Sequence, residues 1–448
     1  MDIEEKILEK AEDNEKKMIS LLQALVRIPS RTGEEGDAQE FVFKYLRDLG
    51  LEVEMWEPDI RELFRRFPKN AQYPSHWQHD LVLPYTNRPT YRNLAKSGKI
   101  DVLNYKDRPN VIARFGKKRE GRSIILNGHI DTVTIEPQRS WTHDPFGGDI
   151  VKGKLYGRGA SDMKGGLVAA IGAIQAILDA GVALKSEIIF ESVVNEEHSG
   201  NGTLACLSKG IRAEGAIVTE PSGNNVFTGN HGGIYWGVYV KGNPSSPGAR
   251  WKGREQFGIS AIEKLPSLIH GLVTLEAKQR ERKEKTNPFS LVIGKVEGGI
   301  YETATAPDCT MKGVVYFGPQ IGTIADVQGM LHHVLERACK EDRWFKQFPP
   351  ELFFLHDDDP SRQDPRHPLV SVMARAAHEA SGIRPQVKGS PFACDMRHLK
   401  NQGKIPTVIY GPGAIDQAHR PDEYFPVADM LPSVKALALA VHRWCNGA

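Results

Sequence analysis

The sequence predicts an α/β protein in two parts, a mixed-sheet α/β domain interrupted by a smaller α+β domain of ferredoxin-like type. Three observations carry this reading. From residue 110 to 228, and again after Pro360, short apolar runs of strand length alternate with longer helical patterns. Between them the segments read strand, helix, strand, strand, helix, strand, which is the split βαβ order. The chain has 448 residues, more than one compact core holds. Residues 1–228 and 359–448 are assigned to the larger domain and 229–358 to the smaller one.

Taken in order, apolar positions at helical spacing predict a first helix over 5–26 and a second around Phe41, Val42, Tyr45 and Leu46, closed by Gly50. Residues 51–55 alternate as a strand does. Residues 56–108 break the pattern with repeated prolines and interleaved Trp56, Tyr73, Trp77 and Tyr91, and they read as an insertion, either functional or a packed surface excursion. Strands follow at 111–114 and 123–126, a helix of small and apolar residues at 165–178, and strands at 186–194 and 215–218. The smaller domain reads strand 234–241, helix 257–280, strands 289–297 and 311–317, helix 323–339 and strand 351–356. The larger domain resumes with a helix at 368–381, a strand at 406–410 and a last helix at 429–445.

Composition excludes several classes. Hydrophobic residues are 40% and charged residues 25%, ordinary for a globular chain and unlike a disordered or fibrous one. Mean hydropathy is −0.40, and no apolar run approaches the roughly 18 residues of a spanning helix. Basic and acidic residues number 58 and 56, so nothing favours nucleic acid or an anionic membrane as partner. The five cysteines are scattered without a C-x-x-C pair, and the charged N-terminus lacks a secretory apolar core. Both point to reduced thiols and a cytoplasmic protein.

Five short segments place acidic residues and histidines where strands end, the edge at which open α/β sheets gather functional groups. The first is Asn127-Gly128-His129-Ile130-Asp131. His129 and Asp131 are two apart and point the same way on an extended chain, as a metal-ligating histidine and its orienting carboxylate do. Taken alone, His129 also reads as a hydrogen-bonded loop histidine. The second segment sets Asp162 between glycines in Gly157-Arg158-Gly159-Ala160-Ser161-Asp162-Met163-Lys164-Gly165-Gly166, where it is also readable as a helix N-cap. The third puts Glu196 and Glu197 side by side after a strongly apolar strand. Neighbouring side chains diverge, so one carboxylate can bind metal while the other takes a proton from water. Glu220 in Thr219-Glu220-Pro221 and His419 in Ala418-His419-Arg420-Pro421-Asp422-Glu423 complete the set. Together they form the nitrogen and oxygen donor inventory of a hydrolytic site for one or two Zn2+ or Mn2+ ions. Neither a phosphate-binding Gly-rich loop nor a G-x-S-x-G elbow competes with it.

These segments, in this order, resemble the zinc-dependent deacylase and peptidase family that includes acetylornithine deacetylase, succinyl-diaminopimelate desuccinylase and carboxypeptidase G. The resemblance covers nearly the whole chain outside 56–108. It implies a metallopeptidase-like catalytic domain with an inserted lid and dimerisation domain, two Zn2+ ions (with Co2+ or Mn2+ as alternatives), and a homodimer formed through the lid. It further implies that Asp162 bridges both ions, that His129 and Glu220 complete one site and Glu197 and His419 the other, that Glu196 is the general acid/base, and that Asp131 orients His129. The implied reaction is hydrolysis of an N-acyl amino acid or related small N-acyl amine. A deformylase of a formylated heterocyclic amine, a small dipeptidase, and a metal- or ligand-binding protein without turnover are the alternatives.

The chain departs from the family in the lid. Where relatives carry a lid histidine the nearest alignment is Gly242-Asn243-Pro244-Ser245-Ser246, and where they carry an asparagine the chain has Thr303-Ala304-Thr305. His231 or Arg250 would be the substitutes for the missing donor at Ser246.

Overall fold

In the computed structural model of the protein, the described residues are 2–72, 104–116, 120–253, 257–281 and 289–447. The strands up to the end of the first α/β stretch are β1 Glu52–Trp56, β2 Asn110–Phe115, β3 Ile124–His129, β4 Ile150–Val151, β5 Lys154–Tyr156, β6 Ile188–Val193, β7 Gly215–Val218 and β8 Val226–Phe227. There follow β9 Gly229–Asn230, β10 Gly232–Lys241, β11 Phe289–Gly298, β12 Asp308–Phe317, β13 Glu351–Asp358 and β14 Ser361–Arg362. The last are β15 Val387–Lys388, β16 Thr407–Ile409 and β17 Tyr424–Pro426.

Eight strands form one mixed sheet in the order β1-β2-β6-β3-β7-β16-β8-β15. Its centre, β6-β3-β7-β16, is parallel throughout, and β1 and β2 close one side antiparallel. The central strands are continuous apolar runs (Ile124, Ile125, Leu126; Ile188, Ile189, Phe190; Ala216, Ile217, Val218) because helices cover the sheet and bury them. The helices Ile3–Asp13, Gly165–Asp179, Pro368–Ser381 and Met430–Asn446 pack on one another, and Ile60–Arg66, Asn201–Ser208 and Met396–Asn401 form a second group. Four neighbouring parallel strands end on the same edge, so the loops that follow them converge there.

The predicted helix over 5–26 is two helices, Ile3–Asp13 and Glu15–Val26. The break is at Asn14, whose amide turns back to the Lys10 carbonyl at 2.9 Å and reaches Asp179 at 2.8 Å. A short side chain that bonds its own backbone offers the chain an exit from the helix. The predicted helix at 257–280 starts only at Ala261, since Ile259 is still paired with Asn243.

Four strands form a second sheet in the order β11-β12-β10-β13, antiparallel at every pair. The helices Ala261–Arg280 and Ile324–Glu341 pack against it with their own apolar cluster, in which Leu265, Leu268, Val327 and Leu331 meet Trp236, Val238, Met311 and Val315. The chain leaves the large sheet through β9 and returns through β14, and these two segments pair with each other. Asn230 is buried in this ribbon, donates to the carbonyls of His231 and Asp359, and accepts from the Ser361 hydroxyl.

β1 and β2 are antiparallel neighbours with Trp56 opposite Asn110, so the insertion at 56–108 leaves and returns at one point. Of its Pro- and aromatic-rich part, residues 73–103 lie outside the described residues. Its ends are tied down. Asn70 donates to Asp359, Gln72 exchanges hydrogen bonds with Asn201 and reaches the Asp357 carbonyl, and Tyr105 donates to Asn195. Arg108 makes a buried bidentate ion pair with Glu35, both contacts at 2.7 Å.

Two glycines test the packing in opposite directions. A Cβ at Gly166 would lie 1.8 Å from the Thr219 carbonyl oxygen, where the helix Gly165–Asp179 meets the end of β7. Gly329 lies inside a helix with nothing within 4 Å of its added Cβ. Gly166→Ala is expected to destabilise the protein by about 1–3 kcal/mol, and Gly329→Ala to stabilise it by about 0.4–1 kcal/mol. Urea unfolding measures both, and a neutral Gly166→Ala would contradict the close approach.

Candidate metal centre

β3 ends on His129, and its imidazole is fully buried. Its Nδ1 is 2.9 Å from the main-chain carbonyl of Asp131, while the Asp131 carboxylate stands farther off, at 3.7 Å. The carboxylate expected to orient the ring thus stands beyond hydrogen-bond length, and the ring's hydrogen-bond partner is the peptide carbonyl of the same residue. That carboxylate is used elsewhere: it accepts the N–H groups of Glu196 at 3.0 Å and Glu197 at 3.2 Å and the Thr32 hydroxyl at 2.8 Å. The chain can present those two N–H groups because Asn195 takes a left-handed conformation (φ 64°) just after β6. Asparagine tolerates that region, and its side chain accepts from Tyr105 and Ser199.

Asp162 sits on an irregular turn before the helix Gly165–Asp179. The turn is held by Glu423, which is buried and accepts from the N–H groups of Ser161 at 2.9 Å, Asp162 at 3.1 Å and Gly159 at 3.0 Å. Arg158 neutralises the same carboxylate at 2.7 Å. Lys164, next in the segment, is buried with its ammonium on the carbonyls of Leu25 and Ile28, at the end of the helix Glu15–Val26. Burial pushes its pKa down to about 7.

The two oxygens of Asp162 face different histidines. Oδ1 is 3.3 Å from His129 Nε2, and Oδ2 is 3.5 Å from His419 Nε2. Glu220 lies 3.6 Å from His129, and Glu197 2.9 Å from His419. Glu196 stands beside the first group, 3.9 Å from His129 Nε2, with its other oxygen 3.6 Å from Arg397. All six side chains that the sequence singled out as ligands or base thus meet in one place, with Asp162 in the middle. His419 is reached by a left-handed turn (φ 62°) and is half-exposed, and the others are almost wholly enclosed.

The electrostatics are those of a surplus of negative charge. Burial pushes Glu196 and Glu220 well above the ordinary carboxylate range, with His129 and, at Glu196, Arg397 pulling back. Burial opposes a charged His129, yet Glu220 and Asp162 outweigh it and hold the imidazole well above its usual value. Glu197 beside His419 takes that ring up to about 12. Burial would raise Asp162, but the two histidines hold it below the carboxylate range. Four carboxylates around two imidazoles in a largely buried pocket are costly as they stand and fit divalent cations, whose charge relieves the repulsion. His129 with Glu196 and Glu220, and His129 with Asp162 and Glu197, each place donor atoms within 4.8 Å of one another. Hard oxygen donors with imidazole suit Zn2+ or Mn2+.

The segments around Ser245 and Thr305, where the sequence departs from the family pattern, lie side by side. Ser245 N–H donates to the Thr305 hydroxyl at 2.8 Å, and Thr305 N–H donates to the Ser245 carbonyl at 2.9 Å. Ser246 is exposed at the start of a short 3-10 turn. Arg250 is engaged with the Gly258 carbonyl and Glu263, and the His231 ring with the Pro391 backbone. Arg250 and His231 thus both have partners outside the acidic cluster. The sequence reading also missed Arg397 and Glu423 as site-forming residues. Glu423 had a signal, since it follows His419 by four residues in the same segment, whereas Arg397 had none.

The model of peptidase family M20/M25/M40 matches residues 125–443. An N-formyl-4-amino-5-aminomethyl-2-methylpyrimidine deformylase of Halalkalibacterium halodurans is 27% identical over 464 residues, covering 99% of this chain and 97% of that protein. The deformylase of the same name from Bacillus subtilis is 30% identical over 363 residues, 76% of this chain and 84% of its own. The acetylornithine deacetylase of Erwinia tasmaniensis is 28% identical over 408 residues, 87% and 98% of the two chains. Among solved structures, the dipeptidase Dug1p of Saccharomyces cerevisiae superposes with a TM-score of 0.70 at 15% identity, covering 99% of both chains. Human carnosine dipeptidase 1 gives 0.67 at 16% identity, with the same coverage. With the family's model spanning both sides of the four-stranded sheet and all six clustered side chains within its match, the chain belongs to peptidase family M20/M25/M40 and is a metal-dependent hydrolase.

Proposed function

We propose that the chain hydrolyses the amide bond of a small N-acyl amine, and that an N-formylated aminomethyl heterocycle is its first substrate class. The observation that carries the reaction is the split of Asp162 between two histidine–carboxylate groups with Glu196 left beside them. The substrate class rests on the deformylase likeness, which extends over 99% of the chain. An N-acetyl amino acid is the second reading, favoured by the likeness to acetylornithine deacetylases.

In this reading His129, Glu220 and Asp162 would hold one ion, and Glu197, His419 and Asp162 the other. The ions would be two Zn2+, with Co2+ or Mn2+ as alternatives. Such a pair would supply a water ionised near neutral pH and polarise the amide carbonyl. Glu196 accepts the proton of the attacking water as the new carbon–oxygen bond forms, then gives it to the nitrogen as the carbon–nitrogen bond breaks, releasing a carboxylate and the amine. Asp131 keeps both glutamates in place through their backbone N–H groups. Residues 229–358 act as a lid over the site, hinged at the β9–β14 ribbon, and pair two copies in a homodimer. The exposed Val292 and Val296 of the edge strand β11, with Ile300 and Tyr301 beyond it, support that contact. The scattered cysteines support a cytoplasmic location.

Asp162→Ala is expected to lose both ions, and elemental analysis that still finds two per chain would remove its bridging role. Glu196→Ala should keep its metal and lose rate by roughly 10²–10⁴-fold; loss of metal with an unchanged rate per bound ion would move the base elsewhere. Across N-formyl, N-acetyl, N-succinyl and dipeptide substrates, kcat/KM should be highest for the N-formyl aminomethylpyrimidine. A preference for N-acetylornithine would select the second reading.

A further inference from the structure

Arg397 belongs to none of the five segments, yet it reaches the cluster. It lies on the helix Met396–Asn401 and is 3% exposed. Its Nη1 is 3.6 Å from Glu196 Oε1, and its Nη2 is 3.1 Å from Asp358 Oδ1. Asp358 is the last residue of β13 and is also 3.0 Å from His356. Three residues later the chain enters β14, the return half of the ribbon between the two sheets. One planar guanidinium thus stands between the proposed proton carrier and the end of the four-stranded sheet.

The two contacts differ in kind. The nearer carboxylate, Asp358, supplies the counter-charge a buried guanidinium requires. Glu196 lies beyond ordinary hydrogen-bond length, within the field of the cation but not locked to it. A guanidinium does not give up its proton in a protein, so it can direct a neighbouring carboxylate without competing for the proton that carboxylate carries. A lysine would offer one donor group on a flexible stem and could not span both carboxylates as a fixed fork.

We propose that Arg397 is a positioning residue that fixes the direction of the Glu196 carboxylate and, through Asp358, ties that direction to the placement of the four-stranded sheet. This rests on Glu196 being the proton carrier.

The test is a mutant cycle on the zinc-loaded full chain. Arg397→Met is expected to lower kcat by about thirty-fold, since a misplaced catalytic group costs on the order of a hundred-fold per ångström. KM should stay within about threefold, because the change acts through the proton carrier, and zinc content should stay unchanged. Arg397→Lys should recover part of the rate. In the Glu196→Ala background, adding Arg397→Met should change the residual rate by less than about threefold, because the group it positions is gone. An equal fall in both backgrounds would overturn the proposal and leave Arg397 a structural residue. Asp358→Asn should lower kcat by about fivefold through the same link, and an unchanged kcat there would sever the connection to the small sheet. If Arg397→Met alone does not fold, Arg397→Met/Asp358→Asn removes both buried charges together and enters the cycle in its place. A Glu196→Ala variant of wild-type rate is a different result, which overturns the proposed function and this inference with it.

Discussion

Asp162, Glu220 and the adjacent pair Glu196 and Glu197 arrive on three separate loops and repel one another, and the surrounding structure is arranged to hold them within contact of two imidazoles. The holding is done from behind. Asp131 takes the N–H groups of Glu196 and Glu197, and Glu423 takes those of Gly159, Ser161 and Asp162. Both are buried carboxylates, and hydrogen bonds to a charged group are worth about 1.5–3 kcal/mol each. The acidic loops are thus fastened by their backbones, and their side chains stay free for a ligand.

The same economy extends outward. Tyr105 fixes Asn195, whose left-handed turn aims Glu196 and Glu197, and Arg108 beside it pairs with Glu35 at the start of the helix Gly36–Asp48. The returning end of the long excursion between β1 and β2 therefore braces the site from outside the sheet. Its outgoing end, through Asn70 and Gln72, binds Asp359 and Asp357 next to the inter-sheet ribbon. The insertion, which the sequence leaves open as functional or a packed surface excursion, contacts through its described ends both the glutamate loop and the connection to the second sheet.

The second sheet has an apolar cluster of its own, and its return to the large sheet runs beside the acidic pocket. Asp358 closes β13 and faces Arg397, and the buried Asn230 side chain bonds the Asp359 carbonyl. A shift of the four-stranded sheet would thus be felt at Asp358, which one guanidinium separates from Glu196. The placement of the small sheet and the geometry of the proposed proton carrier are joined through that charge.

The sequence by itself determined the alternation of strands and helices, the βαββαβ order, and which acidic residues and histidines stand at strand ends. All of these are written in local periodicity and in polar residues that interrupt apolar runs. It did not determine where the first helix breaks, because a single Asn14 amide turning onto Lys10 leaves the apolar spacing intact. Only the tertiary structure decided that the Asp131 carboxylate serves the glutamate loop while its carbonyl serves His129, a choice set by how the loops after β3 and β6 approach. Arg397 was equally illegible, since nothing in its neighbours along the chain marks it. Its partners, Asp358 and Glu196, lie 39 and 201 positions away, and only folding brings them to one guanidinium.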